Sequence, residues 1–250
     1  MFSLMYCMFN KKKENCLIKN LITRALKRMN IFKIIITLAL ITMVQTVYMS
    51  CLKKEYREMN FRKNDLFERN EKLVSNLEEL KIKRTIALLI GKRTKNLTSE
   101  QAARIANIIF EESNKYQMDP LLVTSVICTE SSFDLNAKSN KGAIGLMQLK
   151  PSTAEYIADM IDYDFDLRQN ELTDYQHNIV LGINYLKHLI DKFGTVEKGL
   201  IAYNIGEWKL HQKIKNGEKI PQRYYNKINE HYKKFKLGYN QLLTQINTVS

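Results

Sequence analysis

In residues 98–250, apolar residues recur three and four positions apart, which is the spacing of one face of an α-helix. The first stripe follows Thr98 and Ser99, and either residue can cap a helix N-terminus. A second stripe begins at Asp119, also a capping residue, with Pro120 at the first helical position, where its missing N–H costs nothing. Further helices are predicted over residues 151–161, 174–194, 196–206 and 222–235.

One segment of this part of the chain lacks the helical spacing. Residues 134–150 are rich in Asn, Ser and Gly, which predicts a loop or short strands between two helices. We therefore predict a mainly α domain over residues 98–240, large enough to form its own core, followed by a short tail over residues 241–250.

The N-terminal part has a different pattern, because residues 34–50 are uncharged and largely apolar and follow a basic arm at residues 1–33. This predicts a membrane anchor with the basic arm on the cytoplasmic side and the rest of the chain exported. Two alternatives stay open. Translation could start at Met29, which would make the segment an export signal, or Cys51 could be lipidated.

Residues 51–97 are predicted to form a basic helical stalk, since no Gly or Pro occurs between residues 52 and 90. Apolar residues recur every seven positions, but the companion seam of a coiled coil is mostly polar. Self-association through the stalk is therefore an open possibility. Residues 85–91 are apolar enough to pack on the domain that follows, and residues 91–96 suggest a break before it.

The net charge of +13 is unevenly distributed along the chain. Residues 1–97 contain 21 Lys and Arg against 8 Asp and Glu, whereas residues 98–250 contain 18 of each. A basic arm near a membrane explains this distribution better than a nucleic-acid-binding face does. The four cysteines lack the paired spacing of zinc ligands, so we predict no metal site.

Glu130 is the residue whose position most needs a chemical explanation, because it ends an apolar helix. Phe133, Leu146 and Met147 are nearby apolar residues in the sequence, and a carboxyl group held against apolar groups has a raised pKa. A Glu that carries a proton at neutral pH can protonate a leaving oxygen in glycosidic cleavage. The alternative is an ordinary helix-end carboxylate exposed to water.

Residues 100–230 resemble the soluble lytic transglycosylase domain of the lysozyme-like superfamily. The resemblance rests on motifs in the family's order and spacing: ESSF (130–133), Ala137 with Ser139, GAIGLMQLKPSTA (142–154), NIVLGINYL (178–186) and AYNIG (202–206). It implies a lysozyme-like helical fold with an open groove that holds several sugars of a glycan strand.

The resemblance also implies a reaction, the cleavage of the β-1,4 bond between N-acetylmuramic acid and N-acetylglucosamine in peptidoglycan without consumption of water. Glu130 would protonate the bridging oxygen, and the substrate's N-acetyl group would stabilise the cationic centre. Glu130 would then deprotonate the 6-hydroxyl, which closes a 1,6-anhydro ring. Neither a metal nor a cofactor takes part in this route.

Other predicted substrate-binding residues also follow from the resemblance. Gln148, Tyr203 and Asn204 match cleft-lining positions, Met147 a residue that packs on the sugar, and Ser139 a position beside the catalytic carboxyl. For Met147, Tyr203 and Asn204, a purely structural role in the core stays open, while Asn178 and Gly182 are more typical of packing.

The last motif is abbreviated in this chain. Tyr224 is the better match to the family's cleft tyrosine, and Tyr225 is the alternative.

Three rival functions also fit the sequence. A hydrolytic muramidase on the same fold would need a second acid, for which Asp134, Asp164 and Asp166 are candidates in polar loops. A membrane-anchored scaffold could bind peptidoglycan without cutting it, although the set of Glu130 and its predicted neighbours argues against this. An accessory role in opening the wall for a secretion or appendage machine would use the same chemistry. All these readings place the domain in the bacterial cell envelope, on the exported side of the inner or cytoplasmic membrane.

Overall fold

The computed structural model describes the backbone of residues 2–94, 96–166 and 171–247. Side chains are described from residue 18 to residue 241 within these ranges, and for Thr244. The first half of the predicted basic arm and the end of the predicted C-terminal tail therefore lie outside the described side chains.

Helices form nearly all of the regular structure, so the prediction of a mainly α protein is confirmed. Among the described residues there are no β-strands, only two isolated bridges in the predicted loop, Lys138 with Ile144 and Ile144 with Leu149. A short 3₁₀ helix spans Glu171–Thr173. The α-helices are α1 (Phe2–Arg93), α2 (Ser99–Lys115), α3 (Pro120–Glu130), α4 (Pro151–Met160), α5 (Tyr175–Phe193), α6 (Val196–Ile205), α7 (Glu207–Lys215) and α8 (Arg223–Asn247).

The chain divides into two compact units, Met1–Leu73 and Val74–Ser250. The first unit consists of the N-terminal part of α1, where the described apolar side chains of the predicted anchor are exposed. An 18-residue window in this helix reaches a mean hydropathy of 1.9, and no other helix in the described part of the chain is both long and apolar enough to cross a membrane.

The core of the second unit forms around α5, whose apolar face packs against α2, α4 and α6, while α3 packs against α8. The end of α1 also contributes to this core. Ile86 and Ile90 are fully buried in the cluster that contains Ile105 and Ile109 of α2. The prediction that residues 85–91 pack on the following domain is thus confirmed.

Both predicted N-caps are present in the structure. Thr98 forms a capping box, in which its Oγ1 accepts from the Gln101 N–H at 3.1 Å and its own N–H donates to Gln101 Oε1 at 2.9 Å. Asp119 Oδ1 accepts from the Leu121 N–H at 2.8 Å, and Asp119 Oδ2 accepts from the Tyr232 hydroxyl at 2.5 Å. Asp119 therefore both begins α3 and ties it to α8.

Helices α5 and α6 approach each other closely at Gly199. A Cβ atom at this position would lie 2.5 Å from Ile190 Cγ1 and 2.8 Å from Ile190 Cα. Because the second of these contacts is with backbone, a side-chain rotation alone cannot relieve it. The absence of a side chain at Gly199 is what allows the two helices to pack at this distance.

We expect Gly199→Ala to lower the free energy of unfolding by about 1–3 kcal/mol, the usual cost of overpacking a core. In Gly238→Ala, the matched control in α8, a Cβ would meet nothing within 4 Å. Alanine in an open helical position should stabilise the protein by about 0.5–1 kcal/mol. Thermal unfolding of the full chain in detergent measures both changes. Equal midpoints for the two variants would contradict the close packing of α5 on α6.

Candidate active site

Glu130 is the last residue of α3, and the chain turns sharply after it. Ser132 and Phe133 have φ values of +53° and +66°, a left-handed conformation that non-glycine residues rarely adopt. The fully buried Phe133 ring anchors the turn in the core, and the Phe133 N–H donates to Ser131 Oγ at 3.1 Å. The strained turn is thus held by core packing, which fixes the direction of the helix end that carries Glu130.

The carboxyl group of Glu130 is mostly buried and receives a hydrogen bond from the Tyr224 hydroxyl at Oε1. Burial raises the pKa of Glu130, while the Tyr224 hydrogen bond and the charge of Lys227 lower it by less. The pKa of Tyr224 is raised well above its ordinary value by burial and by the neighbouring carboxylate. Of the neighbouring Tyr224 and Tyr225, Tyr224 is therefore the one whose hydroxyl is shown to bond to Glu130.

The loop after α3 is tied together by Gln148. Its Nε2 donates to the carbonyl oxygens of Ala137 at 3.0 Å and Gly145 at 2.9 Å. Gln148 itself has a φ of +50°, and Gly145 a φ of +77°. These hydrogen bonds join the start of the loop, at Ala137, to its end, at Gln148. They also hold the Gln148 side chain at the edge of the groove described below.

The buried side-chain amide of Asn178 on α5 fixes the conformation of the same loop. Its Oδ1 accepts from the Met147 N–H at 2.8 Å, and its Nδ2 donates to the carbonyl oxygens of Ile144 at 2.9 Å and Leu172 at 3.2 Å. Gly145 permits this approach, since a Cβ there would lie 2.4 Å from Asn178 Nδ2. The structural role that the sequence favours for Asn178 is confirmed.

Tyr203 of α6 connects the loop to the helices. Its hydroxyl donates to the Met147 carbonyl oxygen at 2.8 Å, and its ring lies against Tyr185 with a centroid separation of 5.2 Å and a tilt of 44°. Burial, followed by the charge of Glu130, raises the pKa of Tyr203 well above its ordinary value. Tyr203 is therefore a neutral hydrogen-bond donor held in one orientation.

These elements surround a groove with a volume of about 400 Å³. Among the described residues that line it, Glu130 is the only carboxylic acid. The lining residues come from the end of α3, from the loop and the start of α4, and from α5 and α6: Glu130, Ser139, Lys141, Ala143, Gln148, Leu149, Lys150, Thr153, Tyr185, Tyr203, Asn204, Ile205 and Gly206.

The structure brings together most of the residues that the sequence nominates for the site. Six of them line the groove or contact Glu130, namely Glu130, Ser139, Gln148, Tyr203, Asn204 and Tyr224. Ser139 also shapes the loop, because its Oγ accepts from the Ala143 N–H at 3.0 Å. Their roles towards a substrate stay predictions.

Met147 is placed differently from these residues. Its side chain is fully buried, and it fills the space that a Cβ at Gly182 would need, with Sδ only 2.4 Å from that position. This packing agrees with the alternative of a core methionine, and it gives Gly182 the packing role that the sequence favours. Met147 acts on the groove through its backbone, by accepting the Tyr203 hydrogen bond.

Five polar residues at or near the groove are not among those nominated from the sequence. Four line it, namely Lys141, Lys150, Thr153 and Tyr185, and the charge of Lys227 acts on Glu130. Tyr185 belongs to an apolar helical stripe, so its sequence signal is that of a core residue. The lysines have the signal of ordinary surface residues, and only the tertiary structure brings them to the groove.

None of the three candidate second acids is among the described residues that line the groove. Asp134 is exposed, and its Oδ1 accepts from the Asn136 N–H at 3.0 Å, which stabilises the loop. Asp164 is exposed, and the Asp166 N–H donates to Glu171 Oε2 at 2.6 Å. Chemically, the described groove therefore offers one carboxyl group that burial favours in its neutral form and that can also accept a hydrogen bond when ionised.

Comparisons with known proteins match the chain to one family model and to relatives that are named transglycosylases. A family model described as the transglycosylase SLT domain matches residues 107–241. A transglycosylase of Enterobacteria phage PRD1 is 37% identical over 94 residues, covering 38% of this chain and 32% of that protein. The membrane-bound lytic murein transglycosylase E of Buchnera aphidicola subsp. Acyrthosiphon pisum is 37% identical over 105 residues, covering 40% of this chain and 46% of that protein. The chain thus spans less than half the length of either relative.

Two matches to solved structures cover just over half of this chain. The 70 kDa soluble lytic transglycosylase from Escherichia coli has 21% sequence identity, and the match covers 55% of this chain and 24% of that chain with a TM-score of 0.46. For a lytic transglycosylase from Pseudomonas aeruginosa, the identity is 23%, the coverage 57% and 24%, and the TM-score 0.42.

We expect Tyr224→Phe to raise the pKa of Glu130 further, because the hydroxyl donates to the ionised carboxylate and so favours its charged form. Tyr225→Phe is the matched control and should leave that pKa unchanged. A ¹³C NMR titration of Glu-labelled protein, assigned with Glu130→Gln, measures both. A lower pKa in Tyr224→Phe, or equal effects of the two variants, would contradict the geometry.

Proposed function

The chain belongs to the transglycosylase SLT domain family, and from this premise we propose that it is a peptidoglycan lytic transglycosylase. The substrate is a glycan strand, cleaved at the β-1,4 bond between N-acetylmuramic acid and N-acetylglucosamine. The observation that carries the proposal is the mostly buried carboxyl group of Glu130, the one acid among the described groove-lining residues, whose pKa is raised by burial.

In the first step, neutral Glu130 donates its proton to the bridging oxygen as the bond from this oxygen to the anomeric carbon breaks. Burial supports this role, since it disfavours the charged form of the carboxyl group before the reaction. The substrate's own N-acetyl group stabilises the positive charge that develops at the anomeric carbon. No second protein carboxylate is needed for this step.

In the second step, the ionised Glu130 removes the proton from the 6-hydroxyl of the same muramic acid residue. The 6-oxygen bonds to the anomeric carbon, closes the 1,6-anhydro ring and returns Glu130 to its neutral form. The hydroxyl of Tyr224 stabilises the carboxylate between the two steps, because it donates a hydrogen bond to Oε1. One carboxyl group thus serves as acid and then as base.

The remaining groove residues are proposed to bind and orient the sugars. Gln148 and Ser139 present side chains on the loop, and Asn204 presents an exposed amide. Tyr203 and Tyr185 supply aromatic surface of the kind that packs against apolar sugar faces. Tyr203 is held by Met147, so Met147 contributes by positioning it rather than by touching the substrate.

The N-terminal part of α1 is proposed to hold the enzyme at a membrane of the bacterial cell envelope. Support comes from the apolar window in α1 and from a relative whose name describes it as membrane-bound. Residues 34–50 would be the anchor, with residues 1–33 on the cytoplasmic side and the groove on the exported side. Residues 51–97, the predicted stalk, could also mediate self-association.

We expect Glu130→Gln to lower the rate of peptidoglycan cleavage by roughly 10²–10⁴-fold, the usual contribution of a general acid or base. The assay incubates the full chain in detergent with purified peptidoglycan and identifies the products by mass spectrometry. Anhydro products are one water lighter than the corresponding reducing-end products. Glu155→Gln is the matched control, because Glu155 is an exposed acid on α4 outside the groove lining.

The product masses separate the proposal from its rivals. Anhydro products that depend on Glu130 support the transglycosylase, whereas reducing-end products would identify a hydrolase and would require a second acid. Peptidoglycan that binds to both the wild type and Glu130→Gln but is cut by neither would identify a scaffold. A fully active Glu130→Gln variant would overturn the assignment of the acid.

A further inference from the structure

Two lysines, Lys141 and Lys150, give the groove a positive charge that the cleavage chemistry does not use. Both line the groove, and both are exposed. No ion pair involves either of them in the described part of the chain. By contrast, Glu207, which follows the groove-lining Gly206 in the sequence, forms an ion pair with Lys192. The two ammonium groups are therefore available to a ligand.

The backbone holds both lysines in fixed positions. Lys141 lies in a tight turn, in which the Gly142 N–H donates to the Ser139 carbonyl at 3.0 Å and the Lys141 N–H donates to Ser139 Oγ at 3.3 Å. Lys150 is the N-cap of α4, and its carbonyl accepts from the Thr153 and Ala154 N–H groups, each at 3.0 Å. Only the side chains are free to move.

The charged groups that line the groove are mainly positive. Its single described acid, Glu130, has a raised pKa and is proposed to be neutral when the substrate binds. Two cations without a facing anion indicate that the substrate brings negative charge to this part of the groove. The sugar rings of peptidoglycan are uncharged, and its negative charge lies in the carboxylates attached through the lactyl group of muramic acid.

We propose that Lys141 and Lys150 bind carboxylates borne by muramic acid, so that the enzyme prefers glycan strands that carry these anionic substituents. This inference rests on the proposed function and adds a specificity determinant to it. The carboxylates could belong to the peptide stems or, where a stem has been removed, to the lactyl group itself. Both sources present the same chemistry to the lysines.

The test compares three soluble glycan substrates. The first carries intact peptide stems, the second carries stems whose amines are acetylated and whose carboxylates are then amidated, and the third has had its stems removed by an amidase. An acetylated but not amidated sample controls for the first modification. We expect wild-type kcat/KM to fall about fivefold on amidation, the size of effect expected of two exposed ion pairs.

The Lys141→Gln/Lys150→Gln variant should lose this preference and should cleave native and amidated substrates equally. Lys209→Gln/Lys219→Gln changes the net charge by the same amount at exposed positions outside the groove lining, and it should keep the preference. The preference of the wild type for the native over the amidated substrate should also shrink as the NaCl concentration rises from about 50 mM to about 500 mM, since salt screens exposed charges. A preference retained in the groove variant, or absent from the wild type, would overturn the inference.

Cleavage of the stem-free substrate shows which carboxylates the lysines bind. A lysine-dependent advantage on that substrate would show that the lactyl carboxylate, which is amide-bonded until the amidase frees it, also binds the lysines, and its loss would assign the contact to the stem carboxylates alone. Binding of the same substrates to Glu130→Gln gives a readout that does not need catalysis. If the wild type cleaves nothing, the proposed function fails, but lysine-dependent binding still decides this inference.

Discussion

The site depends most directly on the buried amide of Asn178. This one side chain satisfies a backbone N–H and a backbone carbonyl group of the loop and the carbonyl group of Leu172. Each buried polar group left without a partner would cost about 1–3 kcal/mol, so the amide strongly favours a single conformation of the loop. The Met147 carbonyl oxygen then accepts the hydrogen bond from the Tyr203 hydroxyl. The loop conformation that Asn178 fixes therefore also fixes the orientation of Tyr203 in the groove.

A second constraint acts on Glu130, where opposing effects set the pKa. Burial favours the neutral acid, whereas the hydrogen bond from Tyr224 and the charge of Lys227 favour the carboxylate. A group that must both donate and accept a proton needs neither form to be strongly preferred. The balance depends on how α8 docks on α3, and the hydrogen bond from Tyr232 to Asp119 helps to fix that docking.

The sequence allows prediction of the features that depend on local rules. Helices α2 to α6, the caps at Thr98 and Asp119 and the position of Glu130 at a helix end follow from spacing and residue type. The sequence pattern does not predict helix α7, and α8 continues beyond residue 235, where the predicted helix ends, into the predicted tail. Tertiary contacts are harder to predict. Tyr224 and Tyr225 differ by only about 100° around the helix axis, so the docking of α8 alone decides which of them meets a residue 94 positions away.

Cys128 has a consequence for the conditions under which the domain can work. It is buried in α3, two residues before Glu130, and burial raises the pKa of its thiol. As the only cysteine between residues 74 and 250, it has no partner for a disulfide within that unit. The second unit can therefore fold without an oxidant, and its weakly ionised thiol is shielded from oxidation beside the candidate catalytic acid. Reducing and oxidising surroundings should be equally compatible with an intact groove.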